Sequence, residues 1–369
     1  MKRSMFALLP VVICVGTVFA GGQPEPGVSE SADRVPTPRA ESEPDSSPVD
    51  VPVTAAGAIE TSDGAPGVRF PITVTDRDGF AVTVSEPPRR IVCFSTACIH
   101  ALAVFDILPI ATNRHNITVA LDDVAFGDAA LDITELLWTD GYDFEAVLAL
   151  DPDLVVSFQG AEEWMPIDFL REAVPVYTDS NYAFDENPEL EALERQLLDF
   201  GLMLGRTARA EAFIARTRDR LRAYDAVTDG TTRLAVVRHI AGEDQFWVPP
   251  GCGAALSALV DCVGTTGEWY LTTSEGILSI NPDVVVIEDW GDGVDPAAMT
   301  DYLPLWSELD AVAHGRVYLL TPNRTIDYSL FAVAHALDSL MPLAYPALFP
   351  DGPLSDEEVQ QILAEVGDR

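Results

Sequence analysis

Residues 145–156 read EAVLALDPDLVV, and residues 275–286 read EGILSINPDVVV. Glu, Leu, Pro, Asp and two Val stand at the same places in both copies. Each copy predicts a short amphipathic helix, a Pro-Asp turn and a buried strand. Because the unit returns 130 residues later, the chain is predicted to form two similar α/β lobes with a cleft between them.

The composition narrows the range of partners. The chain has 369 residues, enough for two or three domain-sized units, and a formal net charge of −37. Such a charge argues against nucleic acid and against anionic lipid surfaces, since both require a basic face. Lys2 is the only lysine. An acidic, lysine-poor surface suits a saline or acidic exterior, but drift towards arginine codons explains it equally well.

The N-terminus has the plan of an export signal. Lys2 and Arg3 precede an apolar stretch at residues 5–19, and a cleavage site is predicted after Ala20. Cys14 lies inside the apolar stretch, which argues against lipidation. Residues 21–68 are rich in Pro, Glu and Ser and are predicted to form a disordered tether. The protein is therefore expected in the periplasm or on the outer face of the cytoplasmic membrane, either free or anchored.

Four cysteines remain after removal of the signal: Cys93, Cys98, Cys252 and Cys262. An even number in an exported protein favours disulfides. The local pairings 93–98 and 252–262 are the simplest of three connectivities. Their spacings fit neither a zinc site nor an iron–sulfur cluster well.

The remaining chain divides by its pattern of predicted elements. Strands alternate with helices in residues 69–186 and again in residues 229–350, which predicts a parallel sheet in each lobe. Residues 187–228 have apolar residues at helical spacing and are predicted to form one long spine helix, with a possible kink or break at residues 205–207. Residues 351–369 predict an acidic C-terminal helix. The predicted fold is α/β, with two Rossmann-like lobes joined by that spine.

Residues 70–350 resemble the periplasmic substrate-binding proteins that deliver iron siderophores, haem and cobalamin to ABC importers. The resemblance rests on the hairpin at 73–84, PPRRIVCFS at 87–95, the two repeat copies and GRVY at 315–318, in that order. It implies a monomer that captures a metal chelate, first of all a ferric siderophore, in an inter-lobe cleft. Haem and cobalamin are the alternatives within this class.

The resemblance also implies a docking surface. In similar proteins one glutamate on the rim of each lobe engages arginines of the permease, which works with an ATPase. The matching positions are Glu145 and Glu275, the first residue of each copy. Each could instead only stabilise the positive N-terminus of its helix.

The loops expected beyond the carboxyl ends of the strands supply the candidate ligand contacts. Arginines can bind negative oxygens of a chelate, and aromatic residues offer broad apolar faces. The candidates are Thr96, Arg114, His115, Gln159, Arg238, His239, Trp247, Trp269, Tyr270, Trp290, Arg324 and Tyr328. Two have simpler interpretations, since Trp290 could belong to the core and Arg114 could neutralise nearby Asp122 and Asp123.

Other classes of function are less well supported by the sequence. His115, His239, Tyr270 and Tyr328 could ligate haem iron, but the five histidines form no cluster typical of a bare-metal site, so no metal site or intrinsic cofactor is expected. The common hydrolase and nucleotide-binding motifs are absent, and an enzyme is not expected. A surface adhesion or sensing module of the same fold, without a transporter, is the alternative of another class.

Overall fold

A computed structural model describes residues 68–137, 143–158, 161, 167–179, 189–252, 254–266, 269–291, 293–325 and 329–367. The predicted signal segment and nearly all of the predicted tether lie outside these residues. None of the helices within them has the length and apolar character that crossing a membrane requires.

A two-stranded hairpin precedes the first lobe. Strands β1 (Ile72–Thr75) and β2 (Ala81–Val84) pair antiparallel. The Asp76 carboxylate accepts hydrogen bonds from the backbone N–H groups of Phe80, at 2.8 Å, and Thr178, at 3.2 Å. Because Thr178 lies in the last strand of the first lobe, this aspartate joins the hairpin to the lobe.

The first lobe is a five-stranded parallel sheet with helices between its strands. Its elements are β3 (Ile91–Cys93), α1 (Thr96–Val104), β4 (Ala111–Asn113), α2 (Arg114–Ala120), β5 (Thr134–Leu136), α3 (Phe144–Ala149), β6 (Leu154–Phe158), α4 (Ile167–Ala173) and β7 (Val176–Asp179). The strand order is β5-β4-β3-β6-β7. In β6, Leu154 and Val156 face one apolar cluster and Val155 faces another. Burial of both faces explains its continuous apolar sequence.

The helical segment that follows is divided into two helices, α5 (Leu190–Met203) and α6 (Thr207–Val227). The predicted single helix over residues 187–228 is therefore corrected: the long spine is α6. The chain turns at Gly205, whose φ is +68°, a left-handed conformation that ends the first helix. Gly201 lets the two helices approach closely, because a Cβ there would lie 2.8 Å from the Cβ of Ala210.

The second lobe also alternates strands and helices, but one strand of its sheet is antiparallel to its neighbours. Its elements are β8 (Arg233–His239), β9 (Phe246–Val248), α7 (Ala254–Ser257), β10 (Asp261–Cys262), β11 (Tyr270–Thr272), α8 (Ser274–Ile280), β12 (Val284–Glu288), α9 (Met299–Tyr302), α10 (Asp310–Ala313) and β13 (Val317–Leu320). The sheet order is β11-β9-β8-β12-β13, with β10 paired to the start of β8. Strands β8, β10, β12 and β13 are parallel, whereas β9 runs antiparallel to both of its neighbours.

The repeated Pro-Asp block makes the same contacts in both lobes. Asp153 accepts from the backbone N–H of Arg90 at 2.8 Å, and Asp283 accepts from that of Arg233 at 2.9 Å. The side chains of these two arginines donate back to carbonyl groups at the end of the repeat helix, at 2.8 Å in the first lobe and 2.9 Å in the second. Each block thus fixes its helix to the start of the central strand, β3 in the first lobe and β8 in the second, and the two arginines belong to the repeat.

Helix α11 (Leu330–Ala344) packs against α1 of the first lobe and against α5, α6 and α7. A buried hydrogen-bond network lies at its start. The two ring nitrogens of His100 lie 2.8 Å from Ser329 Oγ and 2.8 Å from Asn323 Oδ1, and Asn323 Nδ2 donates to the carbonyl oxygen of Val119 at 2.9 Å. This network joins the lobes, and we call it the inter-lobe seam.

The C-terminal segment forms α12 (Asp356–Gly367), whose first turn contains Asp356, Glu357 and Glu358. Arg216 and Arg220 of α6 form ion pairs with Asp356 at 3.1 Å and 3.3 Å. The acidic helix predicted at the C-terminus is therefore present over residues 356–367 and is held against the spine by charge.

Two disulfides join Cys93 to Cys98 and Cys252 to Cys262, which are the two local pairings. The first lies at the N-terminal turn of α1. Ser95 caps this helix by accepting from the backbone N–H of Cys98 at 3.0 Å. The disulfide and the cap together fix the turn that presents Thr96.

Acid should weaken this fold through buried histidines. Burial lowers the pKa of His100 to about 4 and that of His335 to about 3. As the pH falls from about 6.5 to about 4, the unfolded chain binds protons that these folded residues do not. The free energy of unfolding should therefore decrease over that range.

Urea unfolding midpoints at pH 7 and pH 4.5 test this expectation. His335→Leu should lose less stability on acidification than the parent protein, whereas His314→Gln, at an exposed position, should behave like the parent. Equal losses in all three proteins would contradict it.

Candidate ligand-binding cleft

A row of side chains crosses one face of the second sheet at the carboxyl end of β8. Arg238 pairs with Trp247, and Trp247 pairs with Leu271, so these three side chains project from the same face. Trp247 is 38% exposed and Leu271 is 46% exposed. The parallel pairing of β12 with β8 places Glu288 on this face as well.

Trp290 joins this row to the first lobe. Its ring stacks on that of His115 with centroids 4.0 Å apart and an interplanar angle of 18°. The guanidinium carbon of Arg238 lies 5.3 Å from the centroid of Trp290. Three of the predicted ligand residues, one from the first lobe and two from the second, are thus brought together. We call His115, Arg238 and Trp290 the Trp290 group.

Glu288 is the functional candidate that sequence reasoning missed. It is buried at the end of β12, where its carboxylate accepts from Trp290 Nε1–H at 3.2 Å and from the hydroxyl of Thr325 at 2.9 Å. Burial raises the pKa of Glu288 to about 7 against these hydrogen bonds and the attraction of Arg238. The available signal was a lone acid ending the apolar strand VVVIE.

The first lobe contributes the start of α2. Asn113 ends β4 and caps this helix by accepting from the backbone N–H of Asn116 at 2.9 Å. Thr96 donates to Asn116 Oδ1 at 3.0 Å. Arg114 is mostly exposed and lies 3.7 Å from Glu135. The simpler interpretation of Arg114, as a partner of Asp122 and Asp123, is not what the structure shows.

Arg324, and not Arg114, forms ion pairs with Asp122 and Asp123. Its guanidinium lies 3.4 Å from Asp122 and 2.5 Å from Asp123, both of the first lobe. Thr321, three residues earlier, donates its hydroxyl proton to Asp122. The loop after β13 therefore forms charged and polar contacts between the lobes.

A second missed acid lies at the carboxyl edge of the first sheet. Asp179 ends β7 and is buried beside Ser95, whose hydroxyl group donates to it. Burial raises the pKa of Asp179 well above its usual value. Each sheet thus has one buried acid at the carboxyl end of a strand, Asp179 in the first and Glu288 in the second.

Two predicted residues lie on the opposite face of the second sheet. His239 follows Arg238 in β8, so its ring points the other way, packs on Phe246 and lies 2.8 Å from the carbonyl oxygen of Glu243 through Nε2. Tyr270 packs against the same apolar cluster and donates its hydroxyl proton to the carbonyl of Gly264. Neither residue joins the Trp290 group.

Of the three remaining ligand candidates, the structure describes one. Trp269 is half-buried just before β11. Gln159 and Tyr328 lie outside the described residues. Within the described part of the chain, no three His, Cys, Asp or Glu side chains group as metal ligands would.

The two docking candidates occupy equivalent places. Glu145 and Glu275 lie exposed in the first turns of α3 and α8. Asp143 caps α3 through the N–H of Ala146 at 3.0 Å, and Thr273 caps α8 at 3.4 Å. Both helices follow strands that end at the carboxyl edge of their sheets, the edge at which ligands bind in open α/β folds.

Two α/β lobes, a connecting helix and aromatic residues between the lobes define a two-lobe binding protein. A family profile described as "Periplasmic binding protein" matches residues 93–324. The chain belongs to this family, and its fold and family are those of binding proteins.

Curated relatives are similar over most of the chain. A "Cobalamin-binding protein" of Halobacterium salinarum is 26% identical over 278 residues, which is 69% of this chain and 69% of the relative. An "Uncharacterized ABC transporter substrate-binding lipoprotein" of Bacillus subtilis is 23% identical over 300 residues, 76% of this chain and 88% of the relative.

Solved structures share the fold. A periplasmic haem-binding protein of Pseudomonas aeruginosa has a TM-score of 0.55 at 24% identity, covering 73% of this chain and 95% of that protein. The triscatecholate siderophore binding protein FeuA of Bacillus subtilis has a TM-score of 0.58 at 17% identity, covering 74% and 98%.

Proposed function

We propose that this protein is the exported solute-binding component of an ABC importer and binds a metal chelate between its lobes. Binding and delivery, without bond chemistry, are its whole activity. The observation that carries the proposal is the group of His115, Arg238 and Trp290, which joins residues of both lobes at the carboxyl edge of the second sheet. Gln159, Trp247, Trp269 and Tyr328 are proposed as further contacts.

The charges in the cleft favour a chelate with little net charge. Each of the three arginines proposed for ligand binding has acid beside it: Arg114 has Glu135, Arg324 has Asp122 and Asp123, and Arg238 is attracted to Glu288. A highly anionic ferric tris-catecholate would need positive charge that these acids offset.

Aromatic surface favours the same kind of ligand. Trp290 and Trp247 give broad apolar faces on one side of the sheet, which suit a large macrocycle. A corrinoid combines such a shape with small net charge, and the Halobacterium relative bears the name of a cobalamin-binding protein. We therefore place a corrinoid before the ferric siderophore expected from the sequence, with haem third.

Native mass spectrometry and absorbance titration with cyanocobalamin, a ferric tris-catecholate, a ferric hydroxamate and haemin test this order. A one-to-one complex with cyanocobalamin and none with the tris-catecholate is expected. Tight binding of the tris-catecholate alone would restore the siderophore, and binding of none of the four would remove the metal-chelate class.

Replacing Trp290 should weaken ligand binding. Trp290→Ala removes one broad apolar contact and the stack between the lobes, so the dissociation constant for cyanocobalamin should rise ~10- to 100-fold. Isothermal titration calorimetry measures it. Tyr302→Ala is the matched control, because Tyr302 is an exposed aromatic residue near His239, away from the Trp290 group. Equal effects of the two changes would contradict the assignment.

For delivery, we propose that Glu145 and Glu275 dock onto the permease and that residues 1–20 direct export. The family supports this proposal, as does the equivalent placement of the two glutamates.

A further inference from the structure

We propose that Glu288 positions Trp290 against the first lobe, and that the proton on its carboxyl group sets how firmly two cleft loops are held together. The proposal concerns the protein without ligand, so it holds whichever chelate the cleft takes. Glu288 acts through Trp290 and is a positioning residue.

The carboxyl group of Glu288 accepts hydrogen bonds from residues in two different loops. One carboxylate oxygen accepts from Trp290, in the loop after β12, and the other accepts from Thr325, in the loop after β13. Glu288 itself is buried at the end of β12, an inner strand of the sheet. A single buried carboxyl group therefore joins the two loops.

Both loops also contact the first lobe. Trp290 stacks on His115. In the other loop, Asn323 donates to the carbonyl of Val119 at 2.9 Å, and Arg324 pairs with acids of the first lobe. A change at Glu288 is thus transmitted to the contact between the lobes through two routes.

The charge on Glu288 decides the strength of these bonds. Ionised, the carboxylate accepts both bonds with full charge and attracts Arg238 on β8; protonated, it loses most of that attraction. The charged and titratable groups around it are Arg238, His115 stacked on the Trp290 ring, and Arg324 with its aspartates beside Thr325. Since burial raises the pKa of Glu288 to about 7, the bonds should tighten as the pH rises through neutrality.

Tryptophan fluorescence of the ligand-free protein between pH 5.5 and pH 8.5 tests the proposal. The parent should show a transition with a midpoint near 7. Glu288→Gln, which keeps the shape and removes the titration, should abolish it. Trp290→Phe should also abolish it, which assigns the signal among the six tryptophans.

Two further variants separate Glu288 from its neighbours. His115→Gln should keep the transition, which excludes quenching by a protonated imidazole. Thr325→Val removes one hydrogen bond that favours the carboxylate, so the midpoint should move upward. The proposal is overturned if the transition survives in Glu288→Gln, disappears in His115→Gln, or keeps its midpoint in Thr325→Val. Because the Thr325→Val test retains Glu288, it remains decisive even if Glu288→Gln does not fold.

Discussion

Charge reversal at both docking positions, Glu145→Lys with Glu275→Lys, is expected to abolish uptake and leave ligand affinity unchanged. The two side chains are exposed in the first turns of equivalent helices, so their loss removes two carboxylates from the surface that we propose faces the permease. Uptake of labelled cyanocobalamin into proteoliposomes that contain the permease and its ATPase measures the effect, and titration of the purified protein measures affinity.

The control is a double reversal elsewhere, Glu172→Lys with Glu357→Lys, at two exposed glutamates outside these helices. It changes the net charge by the same amount and should leave uptake intact. If Glu145 and Glu275 only stabilise their helices, reversal should cost ~0.3–1 kcal/mol of stability at each helix and spare uptake. That outcome would exclude the docking role.

Replacing Arg220 by Met is expected to lower the free energy of unfolding by about 3–5 kcal/mol. Arg220 is 4% exposed; its Nε donates to Asp338 of α11 at 3.0 Å, and its Nη2 donates to the carbonyl of Leu354 at 2.7 Å. It also reaches Asp356 of α12. Its loss leaves the half-buried carboxylate of Asp338 without its arginine. Urea unfolding at pH 7 measures the change.

The same helix offers a control. Arg222→Met breaks the exposed pair with Asp219 and should cost no more than ~1 kcal/mol. Adding Asp338→Leu to Arg220→Met should recover much of the loss, because no half-buried carboxylate is then left without its arginine. Equal losses at Arg220 and Arg222, or no recovery in the double variant, would contradict this account.

The repeated block allowed the two-lobe fold to be predicted because its pattern is local. Helix, turn and strand lie within twelve residues, and the apolar spacing identifies each. The reason for its Pro-Asp pair could not be predicted. Asp153 and Asp283 bond to Arg90 and Arg233, which lie 63 and 50 residues away in the chain.

The division of the predicted spine into α5 and α6 could not be predicted from the pattern of apolar residues alone. Apolar residues keep helical spacing across residues 187–228, and the pattern therefore favours one helix. Gly205 marks the possible break, but the close packing of Gly201 against Ala210 that completes the reversal is a contact between two elements. Periodicity along one element contains no information about such a contact.

The sequence could place His115 and Trp290 just after strands, and the structure brings these two side chains together. Strand parity separated the adjacent residues Arg238 and His239, and predicting it required the register of β8 with β9. Glu288 was missed because acids are abundant in this chain, and its burial and its bonds to Trp290 and Thr325 depend on contacts with other loops.

The inter-lobe seam determines when the two lobes can join during synthesis of the chain. Each sheet is built from one continuous stretch of chain, so each lobe can begin to fold once its own residues have emerged. His100 and Ser329, by contrast, are separated by 229 positions, and α11 supplies apolar surface to both halves. The lobes of the nascent protein therefore cannot be joined through this seam until nearly the whole chain has been made.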